Sequence, residues 1–404
     1  MTRTQRAFLL AACFWLTSWQ SAFAESSPDR QRLGVTDKEI VLGACAPLSG
    51  QQKVRGVPVV EGGRAYFDYI NDQGGVNGRK IKLVACDDHY NVDNGAITCF
   101  DSCLKGKVFL GTLFQGTSSA SRYVAMSDVN HTPLVGFSTG GDFIVHPMHP
   151  FVFQVRASYV DEATKLVDVL WNRLQVKRVA LVYQDDAYGV TCRNAILSAL
   201  SKHGASLIGQ ASYPRLSRNI EPLVSEIKPT DPEVVVIAGA GDAVSLIAKS
   251  RKEFGKNVRL VAFSSTSDLL TDEAGAAADG IIVSQVLPLA DKSLPGVQQY
   301  KKILAKYSKA RPSFSSFEGY LIAMAVVEGL KRAGRDLTRD GFVKALESIN
   351  EQDVGLGKEF MLSFSPTNHA GLKGKVHLTV IKNGEVAPIG DWDRFKHDSI
   401  ANRP

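Results

Sequence analysis

The sequence predicts an α/β chain built on two parallel sheets with helices on both faces, and three observations carry that expectation. Short β-rich runs alternate with amphipathic helical patterns, at 40–46, 81–86, 108–111, 133–137, 151–155, 178–183, 206–213, 233–238, 258–263 and 280–286. The runs are apolar along most of their length and bounded by turn residues, the pattern of parallel strands buried on both faces. Ten such strands crowd one doubly wound sheet and suit two.

Helical patterns fill the gaps, near 58–72, 93–105, 118–129, 160–173, 188–203, 218–228, 242–254 and 268–278. Beyond residue 290 helices dominate, at about 295–309, 315–333 and 339–349, and 360–391 reads as strands with a hairpin at Asn383-Gly384. Asp185-Asp186 stand where a helix start is expected, since carboxylates accept from free N–H groups and oppose the positive dipole end. The Asn71–Gly78 segment, rich in glycine, ends one helix and turns sharply into a strand. There is no internal repeat and no low-complexity linker.

Composition excludes classes without naming a function. The 404 residues are 44% hydrophobic and 22% charged, which removes disorder and collagen-like repeats. The net charge of +6 is dispersed, with no basic stripe interleaved with aromatics, so nucleic acid is not an expected partner.

The N-terminus is more specific. Arg3 and Arg6 precede the apolar run Ala7-Phe8-Leu9-Leu10-Ala11-Ala12-Cys13-Phe14-Trp15-Leu16, and Ala22-Phe23-Ala24 closes the segment. This is the layout of a secretory signal peptide, residues 1–24, cut before Glu25. The run falls short of the roughly 20 apolar residues of a membrane span. Leu10-Ala11-Ala12-Cys13 has the look of a lipoprotein box, but only half the apolar core precedes Cys13, so a lipid anchor there is not expected. Removal of the signal leaves a chain of 380 residues with net charge +4, exported to the periplasm.

Export permits disulfides, and five cysteines remain: Cys45, Cys86, Cys99, Cys103 and Cys192. An odd number leaves at least one unpaired. Cys99 and Cys103 are four apart on one helix face, and Cys86 ends the strand before that helix, so a bridge from Cys86 to Cys99 or Cys103 is expected. Ligand spacings for a metal are absent. His146 and His149, around Pro147-Met148, read as a loop turn.

Two motifs resemble catalytic or cofactor fingerprints and fall short of them. Gly136-Phe137-Ser138-Thr139-Gly140 fits the nucleophile elbow of secreted hydrolases, yet Pro147 follows too soon for the helix the elbow needs. Gly239-Ala240-Gly241 opens a helix after a strand, but Val244 stands where a dinucleotide fingerprint has its third glycine. A tight turn lining a cleft explains it as well. Small polar residues gather instead after strands, in Gly116-Thr117-Ser118-Ser119 and Ser138-Thr139-Gly140-Gly141. Such loops line the ligand crevice of open α/β sheets, and hydroxyls with free N–H groups at helix starts suit a carboxylate. Helix capping alone explains them equally well.

Taken in order, Pro47-Leu48-Ser49-Gly50, Gly74-Gly75-Val76-Asn77-Gly78-Arg79-Lys80-Ile81, Asp87-Asp88, Arg156-Ala157-Ser158-Tyr159, Asp185-Asp186-Ala187-Tyr188-Gly189 and Phe317-Glu318-Gly319-Tyr320 span most of the mature chain. This series resembles the exported solute-binding proteins of ABC importers, in the leucine/isoleucine/valine-binding branch. The resemblance implies two Rossmann-like lobes, 33–154 plus 285–366 and 155–284 plus 367–404, joined by a three-strand hinge with the ligand cleft between them. It implies no catalysis and no cofactor. Carried over by position, it implies a carboxylate grip at Thr117, Ser138 and Gly140, flanked by Ser118 and Thr139. It further implies a closing tyrosine at Tyr188, a hinge-side acid at Asp161, and Tyr159 close by.

Two departures bear on the ligand. Where the amino-acid binders carry a glutamate for the ligand's ammonium, this chain reads Ser264-Ser265-Thr266-Ser267, and Arg55 replaces a flanking aromatic. A buried unpaired ammonium costs several kcal/mol, about 2–7 for even a neutral polar group, so a hydrophobic amino acid is not the automatic ligand. Arg55 reads either as a partner for a second carboxylate or as a solvated loop charge. The expectation is therefore a monomeric binding protein that takes a small carboxylate-bearing solute, an amino acid or related organic acid, to an inner-membrane permease and its ATPase subunits. A sensing module docking on a signalling receptor is the alternative, and a serine hydrolase at Ser138 the lesser one.

Overall fold

The computed structural model describes residues 28–289, 291–372, 376–393 and 395. The signal segment, Cys13 and the last nine residues of the second lobe lie outside the described residues.

Two sheets organise the chain. The first has five parallel strands in the order β2-β1-β3-β4-β5, with β1 Glu39–Ala46, β2 Lys80–Asp87, β3 Leu110–Gln115, β4 Leu134–Ser138 and β5 Val152–Phe153. The second has seven strands in the order β12-β11-β10-β9-β8-β6-β7. Its parallel part comprises β6 Val179–Asp185, β7 Gly209–Pro214, β8 Val234–Ala238, β9 Arg259–Ala262 and β10 Ile282–Gln285. The hairpin β11 His377–Lys382 and β12 Glu385–Pro388 adds an antiparallel edge, turning at Asn383-Gly384 as the sequence predicts.

Both sheets are covered on both faces, which explains their near-continuous apolar runs. In β8, Val235 and Ile237 enter one core, while Val234, Val236 and Ala238 enter the other. The first sheet likewise lies between a large core and a smaller one that contains Cys45, Cys99 and Cys103. After β10 the chain returns to the first body, where helices Pro295–Tyr307, Phe314–Ala333 and Arg339–Glu347 join the large core. It then crosses back to form β11, the third passage between the bodies.

Several boundaries differ from the sequence reading. The first long helix runs Lys53–Asp72 and so begins before Pro58, the residue that reads as its start. That extra turn and a half carries Arg55 on a helix rather than in a loop. The 108–111 run gives a strand displaced to Leu110–Gln115, with Leu113 at φ 59°. The 268–278 stretch is a series of short helical turns, and among the described residues of 360–391 only β11 and β12 are strands. The remainder holds isolated bridges such as Leu362 to Leu372.

Two glycines set how closely the long helices approach. A Cβ on Gly62 would stand 1.9 Å from the Ser316 carbonyl oxygen, and one on Gly319 would stand 1.9 Å from that of Val59. Real Cβ atoms do not come that near, so only glycine permits this crossing of Lys53–Asp72 and Phe314–Ala333.

The cysteines follow from strand register. Cys45 and Cys86 are directly paired in β1 and β2, so they share a face of the sheet. Cys99 and Cys103, one turn apart in the covering helix, meet them in two rungs, Cys45–Cys99 and Cys86–Cys103, with Cα separations of 6.0 and 6.2 Å. Cys192 is buried and free.

Candidate functional site

The C-terminal ends of both sets of parallel strands face each other, and a narrow cavity lies between them. From the first body come Gln52 and Arg55 after β1, Tyr90 after β2, Gln115 to Thr117 at the end of β3, and Ser138 and Thr139 at the end of β4. Tyr159, Tyr188 after β6, Gly239 and Ala240 after β8, and Ser265 after β9 supply the opposite wall. Strand-end loops of two α/β bodies converging on one crevice are the standard placement of a ligand site in open sheets.

The helix Thr117–Asn130 begins at this cavity. Gly116, at φ 101°, turns the chain from strand to helix, and no side chain caps the first turn. Thr117, Ser118 and Ser119 are all buried there. A buried helix start with free N–H groups is suited to an anion. Thr117 Oγ1 lies 2.6 Å from Thr139 Oγ1, which is 3.3 Å from the Tyr159 hydroxyl. Across the cleft, the Tyr188 hydroxyl and Ser265 Oγ are 2.8 Å apart. Burial pushes the Tyr188 and Tyr159 phenols above their usual range, so both remain neutral hydrogen-bonding groups.

Behind the cavity lies a buried ionic chain. Arg55 donates to Ser138 Oγ at 2.8 Å and to the Ser265 carbonyl, tying the two walls together. Ser138 donates to Glu318, which stands 3.7 Å from Arg55 and 3.2 Å from Arg156. Arg156 continues to Glu162 and, at 3.0 Å, to Ser264. Glu162 also accepts from Ser264 N–H and Ser284. Burial opposes the Arg156 charge, but the carboxylates of Glu318 and Glu162 outweigh it and hold its pKa above the usual arginine value.

Further bonds join the walls around the rim. Ser118 donates to Asp186 at 3.1 Å, and Arg215 lies across the Tyr90 ring while donating to Asp186 at 3.1 Å. Gln51 bonds to the Leu216 carbonyl and the Asp242 N–H. Asp186 also caps the next helix by accepting from the N–H groups of Tyr188 and Gly189.

Of the residues singled out from sequence, Arg55, Thr117, Ser138, Thr139, Tyr159, Tyr188 and Ser265 line the cavity. Ser118 stands at the rim, and Ser264 lies behind the wall on Glu162. The Gly140 carbonyl accepts from the Tyr159 N–H, and Gly140 faces a neighbouring hollow. Asp161 is exposed and engaged in a capping box with Ser158, while its neighbour Glu162 is buried. Gln52, Tyr90 and Gln115 were not legible as site residues. Each is an isolated polar or aromatic residue in a loop or strand end, with no motif around it.

Ser138 has none of the surroundings of a hydrolytic nucleophile. Its hydroxyl bonds to Glu318 and Arg55, and only the three-residue turn Asp142–Ile144 follows it. Among the described residues, no group of three His, Cys, Asp or Glu side chains is placed to hold a metal.

A family profile described as "Periplasmic binding protein" matches residues 39–385. The chain belongs to that family. Its members bind solutes and are not enzymes. A curated relative, a Leu/Ile/Val-binding protein homolog from Brucella suis, is 24% identical over 347 residues, covering 80% of this chain and 84% of the relative. Among solved structures, a possible leucine/isoleucine/valine-binding protein from Rhodopirellula baltica superposes with a TM-score of 0.81 at 25% identity, covering 89% of this chain and 98% of the other. A branched-chain amino acid ABC transporter protein from Thermus thermophilus with bound valine gives a TM-score of 0.77 at 20% identity, covering 88% and 97%, and shares the fold. The periplasmic binding fold therefore accounts for the two sheets, the three crossings and the cavity between them.

Proposed function

We propose that this periplasmic binding protein, exported by its N-terminal signal, captures a small carboxylate-bearing solute between its lobes and presents it to a membrane permease. One observation carries the reading: the uncapped start of helix Thr117–Asn130, the Thr117 hydroxyl and the Arg55 guanidinium converge on one buried cavity. All of them stabilise negative charge, and none is placed for bond cleavage. Tyr188 and Ser265 close the opposite side. Hinge motion would separate the Ser118–Asp186 and Arg55–Ser265 contacts on opening and remake them around bound solute. Delivery follows from the closed shape, which exists only while the two walls are joined.

The test is calorimetric titration of the mature protein with a panel of small carboxylic acids and their methyl esters. The reading predicts saturable binding of at least one acid and loss of binding for its ester, because a buried site that loses its anion leaves donors unpaired. Equal affinity for acid and ester would overturn it.

A further inference from the structure

The cavity's polar groups specify the charge type of the solute more narrowly. Resting on the reading just given, we propose that the ligand is a small organic anion without an ammonium group, a hydroxy, keto or aromatic acid rather than an amino acid.

The first observation is the fate of the buried acids near the cleft, together with half-buried Asp186. Among the described residues, no Asp or Glu lines the cavity. Glu318 is held between Arg55, Arg156 and Ser138, and Glu162 between Arg156, Ser264 and Ser284. Asp186 serves Arg215, Ser118 and a helix start. Asp268 accepts from the Phe314 and Ser315 N–H groups, and Asp88 accepts from Tyr90 N–H and the Tyr123 hydroxyl. An ammonium placed in this cavity would meet no carboxylate. Arg55 would stand on the cavity wall as a like charge.

The second observation is the set of polar atoms without partners. Arg55 Nε, Gln52 Nε2 and Gln115 Oε1 are buried and bond to no described group, although their residues all line the cavity. Two of the three are donors, which an acid's oxygens satisfy. The third is an acceptor, which a neutral hydroxyl satisfies without bringing a charge beside Arg55.

The experiment uses matched pairs that differ only at the α-substituent: leucine against 2-hydroxy-4-methylpentanoate, phenylalanine against 3-phenyllactate, and aspartate against malate, with benzoate added. Titration of the wild-type mature protein should favour the hydroxy acid of any pair that binds by at least tenfold, or show binding of benzoate. The isosteric Q115E variant, which places a carboxylate where the free acceptor stands, should narrow or invert that ratio. An amino acid that binds as tightly as its hydroxy partner would overturn the inference and leave carboxylate capture standing. Absence of binding by every acid of the panel would overturn carboxylate capture itself. The wild-type comparison decides the matter even if Q115E fails to fold.

Discussion

Arg55 and Glu318 face each other from two different helices, Nη2 to Oε2 at 3.7 Å, with each side chain only 3% exposed. Between them Ser138 donates to the carboxylate and accepts from the guanidinium, so one hydroxyl joins the ligand cavity to the ionic chain behind it. Charges this deep are stable only as a neutral set, and Arg55, Arg156, Glu318 and Glu162 form one.

Replacing Glu318 with Gln leaves two arginines with one acid. Removing one partner of a buried pair costs about 3–5 kcal/mol. Urea unfolding of E318Q should show a loss in that range. A loss below about 1 kcal/mol, the size typical of surface pairs, would mean that the chain is solvated.

The Arg55–Glu318 encounter depends on the glycine crossing. In G62A the new methyl carbon would lie 1.9 Å from the Ser316 oxygen, so the helices must separate. Overpacking of this kind costs about 1–3 kcal/mol. The variant should unfold earlier and bind its ligand more weakly, since both arginine and acid shift with their helices. Unchanged thermal unfolding of G62A would show that the helices are not held as closely as described.

Loss of the longer disulfide should be felt throughout the first lobe. Cys45–Cys99 closes a loop of 54 residues, and native bridges typically contribute about 2–4 kcal/mol. The C45A/C99A double variant should fall in that range under oxidising conditions. Thiol titration of the denatured, unreduced mature protein should find one free thiol, that of Cys192. Three free thiols would contradict the paired arrangement.

Legibility from sequence tracked how many residues carried each signal. The strands were readable because whole runs are apolar for burial on two faces, and the hairpin because Asn383-Gly384 has turn chemistry of its own. Thr117, Ser138, Tyr188 and Ser265, which line the cavity, were singled out through strand-end loops and family resemblance. Single-residue matters were harder. Ser158 and Asp161 have the spacing of a capping box, a local signal that accounts for the place of Asp161 at the helix start, while Glu162 beside it is buried. Pro58 concealed the true helix start and with it the burial of Arg55. Gln52, Tyr90 and Gln115 come from three separate strand ends of the first body, and nothing local records their convergence on one cavity.

Acidity gives a separate handle. Burial, only partly offset by bonds from Tyr90 N–H and the Tyr123 hydroxyl, pushes the Asp88 carboxyl from 3.8 up to about 6. The folded state therefore holds this proton more tightly than the unfolded one. Its stabilising effect is complete below about pH 3.8 and is lost as pH rises through about 6. A shift of this size corresponds to about 3 kcal/mol. D88N does not titrate, so its stability relative to wild type should rise by that order between pH 4 and pH 7. A difference that stays constant over this interval would place Asp88 in contact with water.

The most direct test of the binding site is mass spectrometry of small molecules released by denaturing natively purified protein. The cavity predicts one kind of small carboxylic acid, near one per chain, from wild type and its loss from R55M. A released ligand with no acidic group, or undiminished release from R55M, would contradict the site described.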